Sequence, residues 1–276
     1  MMRILSLDIG GTNIRGAVVN GAKVSGYLKT PTPKKQKETI AKIYEIVASY
    51  GKFDVLCVST AGFERNGKIV NSLNNDMDGT PLSKLLRQKF KKKVFLGNDA
   101  NCATLAELHY GVGRGKRNFV LLTLGSGIGG GAVLDGKLYL GNGGALEVGS
   151  MRIQDEEIYE HLASGKASVR IAHEMGMKGI TSLELEHRAD KGDKKAKEVY
   201  DKIGRYLGIG MANLAYLFDP EVIIIGGGFS RVKYIYPAME KTLKELYYLE
   251  PKPKIVKAKF GDDAGLIGAA LLMKIK

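Results

Sequence analysis

Cysteine and tryptophan are scarce in this chain of 276 residues, which contains two cysteines and no tryptophan. Cys57 and Cys102 both lie among apolar residues, where a buried free thiol is more common than a disulfide or a metal ligand. The sequence therefore does not suggest a disulfide-stabilised scaffold. The low cysteine count fits a reducing compartment, and we expect a cytoplasmic protein.

Long hydrophobic runs are also missing. No uncharged apolar stretch approaches the ~20 residues that a membrane-spanning helix needs, because glycines interrupt the most apolar windows. Residues 1–8 carry an acid inside their apolar run, and no small-residue cleavage site follows, unlike a secretory signal. We expect a soluble protein with no membrane partner.

The formal net charge of +13 raises the question of a nucleic-acid partner. The chain has no basic stripe interleaved with aromatic residues and no recognisable nucleic-acid-binding module. Its lysines are scattered over helix-like segments such as residues 33–37, 89–93 and 190–197, the usual pattern of a solvated surface. We therefore expect no nucleic-acid partner.

Glycine is plentiful and takes part in an internal repeat. Gly-Ala-Val-Val-Asn-Gly at residues 16–21 recurs as Gly-Ala-Val-Leu-Asp-Gly at residues 131–136. Each copy follows an apolar strand and a glycine turn, at residues 4–12 and 120–127. The repeat predicts a duplicated fold in which each half opens with a strand, a turn and a second strand.

Beyond the repeat, strand-like and helix-like segments alternate, which predicts α/β layers with a mixed sheet in each half. Three glycines at alternate positions within residues 110–116 suit a flexible crossing between two domains. We predict one domain over residues 1–109 and a second over residues 110–261. The apolar helical segment 262–276 is expected to return to the first domain.

Two glycine turns have the composition of a phosphate-binding site. Missing Cβ atoms let backbone N–H groups approach an anion, and the nearby Asp8 carboxylate could hold a hydrated cation. The first turn, residues 8–12, could equally be a plain hairpin turn. The second, residues 125–131, has five glycines in seven positions, more than a hairpin needs. Facing each other, the two turns would clamp a polyphosphate.

A third glycine cluster, residues 226–228, follows an apolar strand, and there a strand end could meet a helix N-terminus. We interpret it as the adenosine side of the site. No G-x-G-x-x-G opens a helix within an N-terminal βαβ unit, and no G-x-x-x-x-G-K-[ST] occurs, so neither a Rossmann dinucleotide site nor a P-loop is predicted.

Four ordered motifs, at residues 7–12, 97–101, 123–131 and 218–228, resemble the ROK family (repressors, open reading frames, kinases) over nearly the whole chain. The resemblance implies an α/β, two-lobed, actin-like ATPase fold, which is a duplicated ribonuclease H-like fold. It also implies ATP-dependent phosphorylation of a hexose hydroxyl, as in a glucokinase or hexokinase.

The resemblance implies a role for each matching residue. Asp99 corresponds to the base that accepts the proton of the attacking sugar hydroxyl, although Asp99 could instead cap the helix expected at residues 103–109. Asp8 would orient Mg²⁺ through water. The residues expected to bind ATP are Gly10, Gly11, Thr12, Asn13, Gly125, Ser126, Gly127, Gly227 and Gly228.

Sugar binding in the family uses neutral and acidic hydrogen-bonding groups. The positions that match are Gly62, Asn98, Asp99, Glu147 and Glu160. Asn74 or Asn75 would add a contact, but the local match is too loose to choose between them, and either could be an ordinary turn asparagine. Glu160 could instead be a solvated glutamate at the start of a helix.

One segment departs from the family. Many members bind a structural zinc ion through a histidine and a cysteine-rich loop, whereas this chain has Ser150 at the histidine position and Ile158 at that of the last cysteine. A structural zinc site needs about four nitrogen or sulfur ligands. We therefore predict no bound zinc.

Several alternatives stay open. Within the kinases, the substrate could be an N-acetylhexosamine such as N-acetylmannosamine, or fructose, and the donor could be polyphosphate. A sugar-responsive repressor of this family carries a helix-turn-helix before the core, and we expect none here. The last alternative is a sensor that has lost catalysis. Family members are commonly dimers or tetramers, so we expect a homodimer or homotetramer.

Overall fold

The computed structural model describes residues 2–72 and 76–275. The chain divides into two compact units. The first unit comprises Met1–Arg114, Leu140–Ala145 and Asp262–Lys276, and the second comprises Gly115–Tyr139 and Leu146–Gly261. The chain thus leaves the first unit near residue 114 and returns to it twice.

The first unit is built on a mixed five-stranded sheet with helices beside it. Its strands are β1 (Ile4–Ile9), β2 (Asn13–Asn20), β3 (Lys23–Pro31), β4 (Val55–Thr60), β5 (Phe63–Arg65), β6 (Lys68–Val70) and β7 (Lys93–Asn98). Its first three helices are α1 (Gln36–Ser49), α2 (Leu82–Phe90) and α3 (Asp99–Tyr110). The sheet order is β3-β2-β1-β4-β7, and β5 pairs with β6 in a separate hairpin.

Strand register in this sheet decides which side chains can meet. β1 pairs antiparallel with β2 and parallel with β4, and β4 pairs parallel with β7. Ile9 is level with Thr60, and Thr60 is level with Asn98. The carboxyl ends of three parallel strands therefore lie at one edge of the sheet, where α/β proteins commonly bind ligands.

The two faces of β1 have different neighbours, because side chains alternate across a strand. Leu5, Leu7 and Ile9 are fully buried in a core with α1 and α2. The opposite face of the sheet packs against the C-terminal segment. There Ala17 and Val19 of β2 form a second hydrophobic cluster with residues of that segment. Asp8 lies on this opposite face, because its position alternates with those of Leu7 and Ile9.

The second unit repeats the sheet of the first. Its strands are β8 (Phe119–Leu124), β9 (Ile128–Leu134), β10 (Lys137–Tyr139), β11 (Arg152–Gln154), β12 (Glu157–Ile158), β13 (Val222–Gly226) and β14 (Lys254–Lys257). The main sheet has the order β10-β9-β8-β13-β14, with an antiparallel hairpin first and parallel strands after it. β11 and β12 form a separate antiparallel hairpin. The duplication predicted from the sequence repeat is confirmed.

Five helices complete the second unit: α4 (Tyr159–Ala163), α5 (Gly165–Glu174), α6 (Ser182–Asp190), α7 (Lys194–Phe218) and α8 (Tyr236–Leu246). The 25-residue α7 is the central helix of this core. Asp193 caps its first turn by accepting hydrogen bonds from the backbone N–H groups of Lys195 and Ala196 at 2.9 and 3.3 Å.

The last helix, α9 (Ala264–Leu271), belongs to the first unit. Leu266 and Ala270 pack on Ala17 and Val19 of β2. The contact of α9 with α3 requires glycine, because a Cβ atom at Gly268 would lie 1.7 Å from the carbonyl oxygen of Cys102. Close backbone approach of this kind is why a helix interior tolerates a glycine.

Both cysteines are buried and free, as the sequence predicts. Burial raises the pKa of the Cys57 thiol to about 12, so this thiol stays protonated at neutral pH. In residues 2–72 and 76–275, no helix is both long enough and apolar enough to cross a membrane.

Candidate active site

Asp8 lies near the end of β1 with two hydrogen-bond donors around its carboxylate. The Ser59 hydroxyl donates to Oδ1 at 2.8 Å, and the Arg15 guanidinium donates to Oδ2 at 3.1 Å. Burial of Asp8 raises the pKa of its carboxyl, and the bonds from Ser59 and Arg15 oppose that rise. The structure thus places the predicted magnesium-orienting carboxylate in a buried polar network.

Strand register explains this network, which sequence reasoning missed. Asp8 is level with Arg15 on β2 and with Ser59 on β4. Arg15 also reaches Asp262 at 3.6 Å. A Cβ atom at Gly265 would lie 2.6 Å from Asp8 Oδ1, so α9 approaches the carboxylate with bare backbone. A sequence signal for this contact is Gly265 within an apolar helical segment, where a glycine allows close approach of the backbone.

The first glycine turn links β1 to β2. The backbone N–H of Gly10 donates to the Asn13 carbonyl at 3.0 Å, and Gly11 and Thr12 are exposed at the tip. Thr32, which the sequence did not indicate, donates its hydroxyl to the Gly10 carbonyl at 2.7 Å. The turn is therefore fixed at its base while its tip is open to a ligand.

Asp99 is the first residue of α3, at the edge where β7 ends. The N-cap is Asn98, whose side-chain oxygen accepts a hydrogen bond from the Asn101 backbone N–H at 3.1 Å. The alternative that Asp99 caps the helix is therefore wrong. Asp99 Oδ1 accepts a hydrogen bond from the Ala100 backbone N–H at 2.8 Å.

Gly62 lies beside this helix start. The Asn98 side-chain amide donates to the Gly62 carbonyl at 3.1 Å. Gly62 has a φ of 78°, and a Cβ atom there would lie 2.5 Å from the Val70 carbonyl oxygen, so this position requires glycine. Three predicted sugar-binding positions, Gly62, Asn98 and Asp99, are thus brought together.

Asn74 and Asn75 lie outside the described residues. Nearby, the Ser72 backbone N–H donates to Asp78 Oδ1 at 2.6 Å. The contribution of Asn74 and Asn75 to sugar binding stays a prediction.

The second glycine turn links β8 to β9 in the second unit. The Gly125 backbone N–H donates to the Gly127 carbonyl at 3.0 Å, and Gly165 donates to the Gly125 carbonyl at 2.8 Å. A Cβ atom at Gly125 would meet nothing within 4 Å, and Ser126 is exposed at the tip. The open side of this turn could accept an anion.

Glu160 lies against this second turn. Its Oε2 accepts a hydrogen bond from the Ile128 backbone N–H at 3.3 Å. Cβ atoms at Gly127 and Gly149 would lie 2.4 and 3.0 Å from Oε2, so both glycines make room for the carboxylate. Glu160 begins a helix as expected, but its side chain is held in the glycine turn rather than freely solvated.

Glu147 is an exposed side chain near Glu160. Partial desolvation, followed by the nearby negative charge of Glu160, raises the pKa of Glu147. A neighbouring like charge disfavours the charged form of the Glu147 carboxyl. The second unit therefore has two neighbouring carboxylates that would accept hydrogen bonds from ligand hydroxyls.

The third glycine cluster meets the second turn at the end of β8. Gly227 has a φ of 83°, and a Cβ atom there would lie 2.3 Å from the Leu124 carbonyl oxygen. Gly228 faces open space. A short 3₁₀ helix over Gly228–Arg231 follows β13 directly, and α8 begins only at Tyr236, so the helix start that the strand end meets is a 3₁₀ turn. The second unit brings its predicted ATP-binding glycines together.

The implied metals fit this chain differently. Mg²⁺ keeps several waters and binds through one or two carboxylates plus substrate phosphates, so Asp8 suits it. Zinc does not fit the segment from Ser150 to Ile158, which forms the β11–β12 hairpin and has no cysteine. Within the described part of the chain, no group of three or more histidine, cysteine, aspartate or glutamate side chains could hold a metal ion.

Two copies of a mixed sheet, each with a glycine turn after its first strand, define the actin-like ATPase fold. The chain belongs to the ROK family, whose model matches residues 4–276. The family and the fold predicted from the sequence are both confirmed.

The relatives include kinases with different substrates. The chain is similar to a ROK family glucokinase from Streptomyces griseus solved with glucose and AMPPNP, with a TM-score of 0.88 and 29% identity over 99% of this chain and 100% of that one. It is 31% identical to an N-acetylmannosamine kinase from Haemophilus influenzae, over 99% of this chain and 96% of that protein. A ROK family transcriptional regulator shares the fold, with a TM-score of 0.85 and 24% identity, covering 99% of this chain and 78% of that one.

Proposed function

We propose that this protein is an ATP-dependent hexose kinase of the glucokinase type. The observation that carries the proposal is the placement of Asp8 and Asp99 at one edge of the first sheet. Asp8 is the next-to-last residue of β1 and is level with Ser59 of β4. Asp99 is the first residue of α3 and comes directly after β7. A metal-orienting carboxylate and a general base near one another are what in-line phosphoryl transfer needs.

In this proposal each group of residues has one task. Asp99 accepts the proton of the attacking sugar hydroxyl, and Gly62, Asn98, Glu147 and Glu160 hold the other hydroxyls. Backbone N–H groups of the two glycine turns bind the phosphates, and Gly227 and Gly228 lie beside the adenosine. Mg²⁺, bound near Asp8 with the nucleotide, would offset negative charge on the phosphates.

Different observations support the proposed donor and the proposed sugar. The glucokinase relative was solved with an ATP analogue, which supports ATP as the donor. Glucose and N-acetylmannosamine both have support, since one relative acts on each. Buried free thiols support a cytoplasmic location, and we propose a homodimer or homotetramer.

The test is ADP release from purified protein with Mg-ATP, using glucose, mannose, fructose, glucosamine, N-acetylglucosamine and N-acetylmannosamine. Asp99→Asn should lower turnover by about 10²–10⁴, the usual contribution of a general base, while ATP affinity is retained. Asp54→Asn is the matched control, because Asp54 precedes β4 at the opposite edge and binds the Arg3 backbone N–H. Wild-type turnover in Asp99→Asn would remove Asp99 from the mechanism.

Two other outcomes have defined meanings. Binding of sugar and ATP with no turnover on any sugar would favour a sensor that has lost catalysis. Turnover with polyphosphate but not with ATP would change the donor.

A further inference from the structure

Glu160 lies directly after a fully buried tyrosine. Tyr159 is 0% exposed, and its hydroxyl donates to the Leu207 carbonyl of α7 at 2.9 Å. Its backbone N–H donates to the Met151 carbonyl at 2.7 Å. The start of α4 is therefore attached at two points, to α7 by the side chain and to the segment before β11 by the backbone.

The tyrosine ring lies on bare helix backbone. A Cβ atom at Gly210 would lie 2.3 Å from Tyr159 Cζ and 2.6 Å from two further ring carbons. Glycine is unfavourable inside a helix, and here it makes the space that the ring occupies. The Tyr159 ring therefore packs directly on the backbone of α7 at Gly210, a contact called here the Gly210 socket.

The side chains of Tyr159 and Glu160 contact different parts of the second unit. Tyr159 enters the core against α7, whereas the Glu160 carboxylate accepts from Ile128 and fits the space left by Gly127 and Gly149. Because the two residues are consecutive in a helix of five residues, a shift of the tyrosine would move the carboxylate. The β11–β12 hairpin that precedes them has no zinc-binding donor set.

We propose that Tyr159, seated on Gly210, is a positioning residue that holds Glu160 for sugar binding without a metal ion. The proposal rests on the proposed sugar kinase function, with Glu160 as a sugar ligand. In this proposal, the contact between Tyr159 and Gly210 takes the place of a structural zinc ion. Sugar affinity should then depend on a contact that touches no substrate.

The test compares two glycine substitutions in α7 by calorimetric titration with the sugar that the wild type phosphorylates. Gly210→Ala places a methyl group in the tyrosine ring, and we expect the sugar Kd to rise about tenfold or more while the Kd for ATP stays within about twofold. Gly208→Ala is the matched control, because its Cβ would lie 2.6 Å from Thr242 Cβ and 2.7 Å from the Met239 oxygen of α8. It should lower the melting temperature and leave the sugar Kd unchanged.

A second pair of variants removes only a hydroxyl. Tyr159→Phe loses the bond to Leu207, and we expect a rise in sugar Kd of about two- to fivefold with ATP affinity unchanged. Tyr200→Phe is its control, because Tyr200 is equally buried in α7 and its hydroxyl has no hydrogen-bond partner in the part of the chain described. Its sugar Kd should equal that of the wild type.

Three results would overturn the inference. If Gly210→Ala changes sugar affinity no more than Gly208→Ala does, the contact is structural only, and the kinase proposal is unaffected. Stoichiometric zinc, with sugar affinity lost on selective zinc chelation, would assign the positioning to a metal. A wild type that binds no sugar at all would overturn the proposed function, and this inference with it.

Discussion

Asp8 is a carboxylate that the fold buries at a cost. Its pKa is raised, mainly by burial, even though Ser59 and Arg15 donate hydrogen bonds to it. A folded-state pKa above the unfolded value means that the native state binds the proton more tightly than the unfolded state does. The contribution of Asp8 to stability is therefore full at pH values below the unfolded pKa, and it is lost as the pH rises through the raised pKa.

Asp8→Asn should therefore stabilise the nucleotide-free protein at pH 7 while lowering Mg-ATP-dependent turnover. Asparagine keeps an oxygen that can accept from Ser59 but carries no charge to desolvate. We expect the melting temperature to rise by a few degrees, roughly 2–4 °C for each kcal/mol in a protein near this size. Calorimetry at about pH 3.5, below the ordinary pKa of 3.8, and at pH 7 should show the larger difference at pH 7. A variant less stable than the wild type at pH 7 would show that the Arg15 ion pair outweighs desolvation.

The glycines of α7 are explained by the helices packed on them. A Cβ atom at Gly204 would lie 2.4 Å from the Ile235 carbonyl oxygen and 2.9 Å from Ala238 Cβ. Gly208 makes the same kind of contact one turn later, so α8 packs against the bare backbone of α7. Helix propensity and packing therefore oppose each other at these positions.

Gly204→Ala separates the two effects. Propensity alone would stabilise the helix by about 1 kcal/mol, whereas overpacking typically costs about 1–3 kcal/mol. Because the contact is with backbone that cannot move aside, we expect a lower free energy of unfolding in urea titration. Arg205→Ala, an exposed substitution on the same helix, should change stability little. A stabilised Gly204→Ala variant would mean that α8 is not packed this closely.

The alternation of strands and helices was readable from the sequence, and the structure has helices such as α2 (Leu82–Phe90) and α7 (Lys194–Phe218) between its strands. The start of α3 was missed by four residues. The N-cap is Asn98, whose side chain accepts a hydrogen bond from the Asn101 backbone N–H. The sequence does not show which residue is the cap, because Asn98, Asp99 and Asn101 can all cap a helix.

Across the whole molecule, the first unit depends on residues from the far end of the chain. α9 supplies Leu266 and Ala270 to the core beside β2 and places Asp262 near Arg15. The predicted domain bounds, with the boundary near residue 110 and the return of segment 262–276 to the first domain, stay predictions.

Deleting residues 262–276 should unfold the first unit, because Ala17 and Val19 lose the helix that covers them. Limited proteolysis should then cleave within residues 2–110 first, and the circular dichroism signal should fall. Deleting only residues 275–276 is the control, since Ile275 is 41% exposed, and it should melt like the full chain. Resistance of the shorter chain to protease would show that the sheet is stable without α9.

The sequence by itself determined the family, the duplicated α/β fold and the glycine turns, and it indicated Asp8, Asp99, Glu147 and Glu160 as candidate site residues. These follow from short patterns whose residues are neighbours in the chain. Only the tertiary structure decided what surrounds them: Arg15, Ser59 and Asp262 near Asp8, and the Gly210 socket that holds Tyr159. Such contacts join residues as many as about 250 positions apart, and they depend on strand register and on how closely helices pack, which no local pattern encodes.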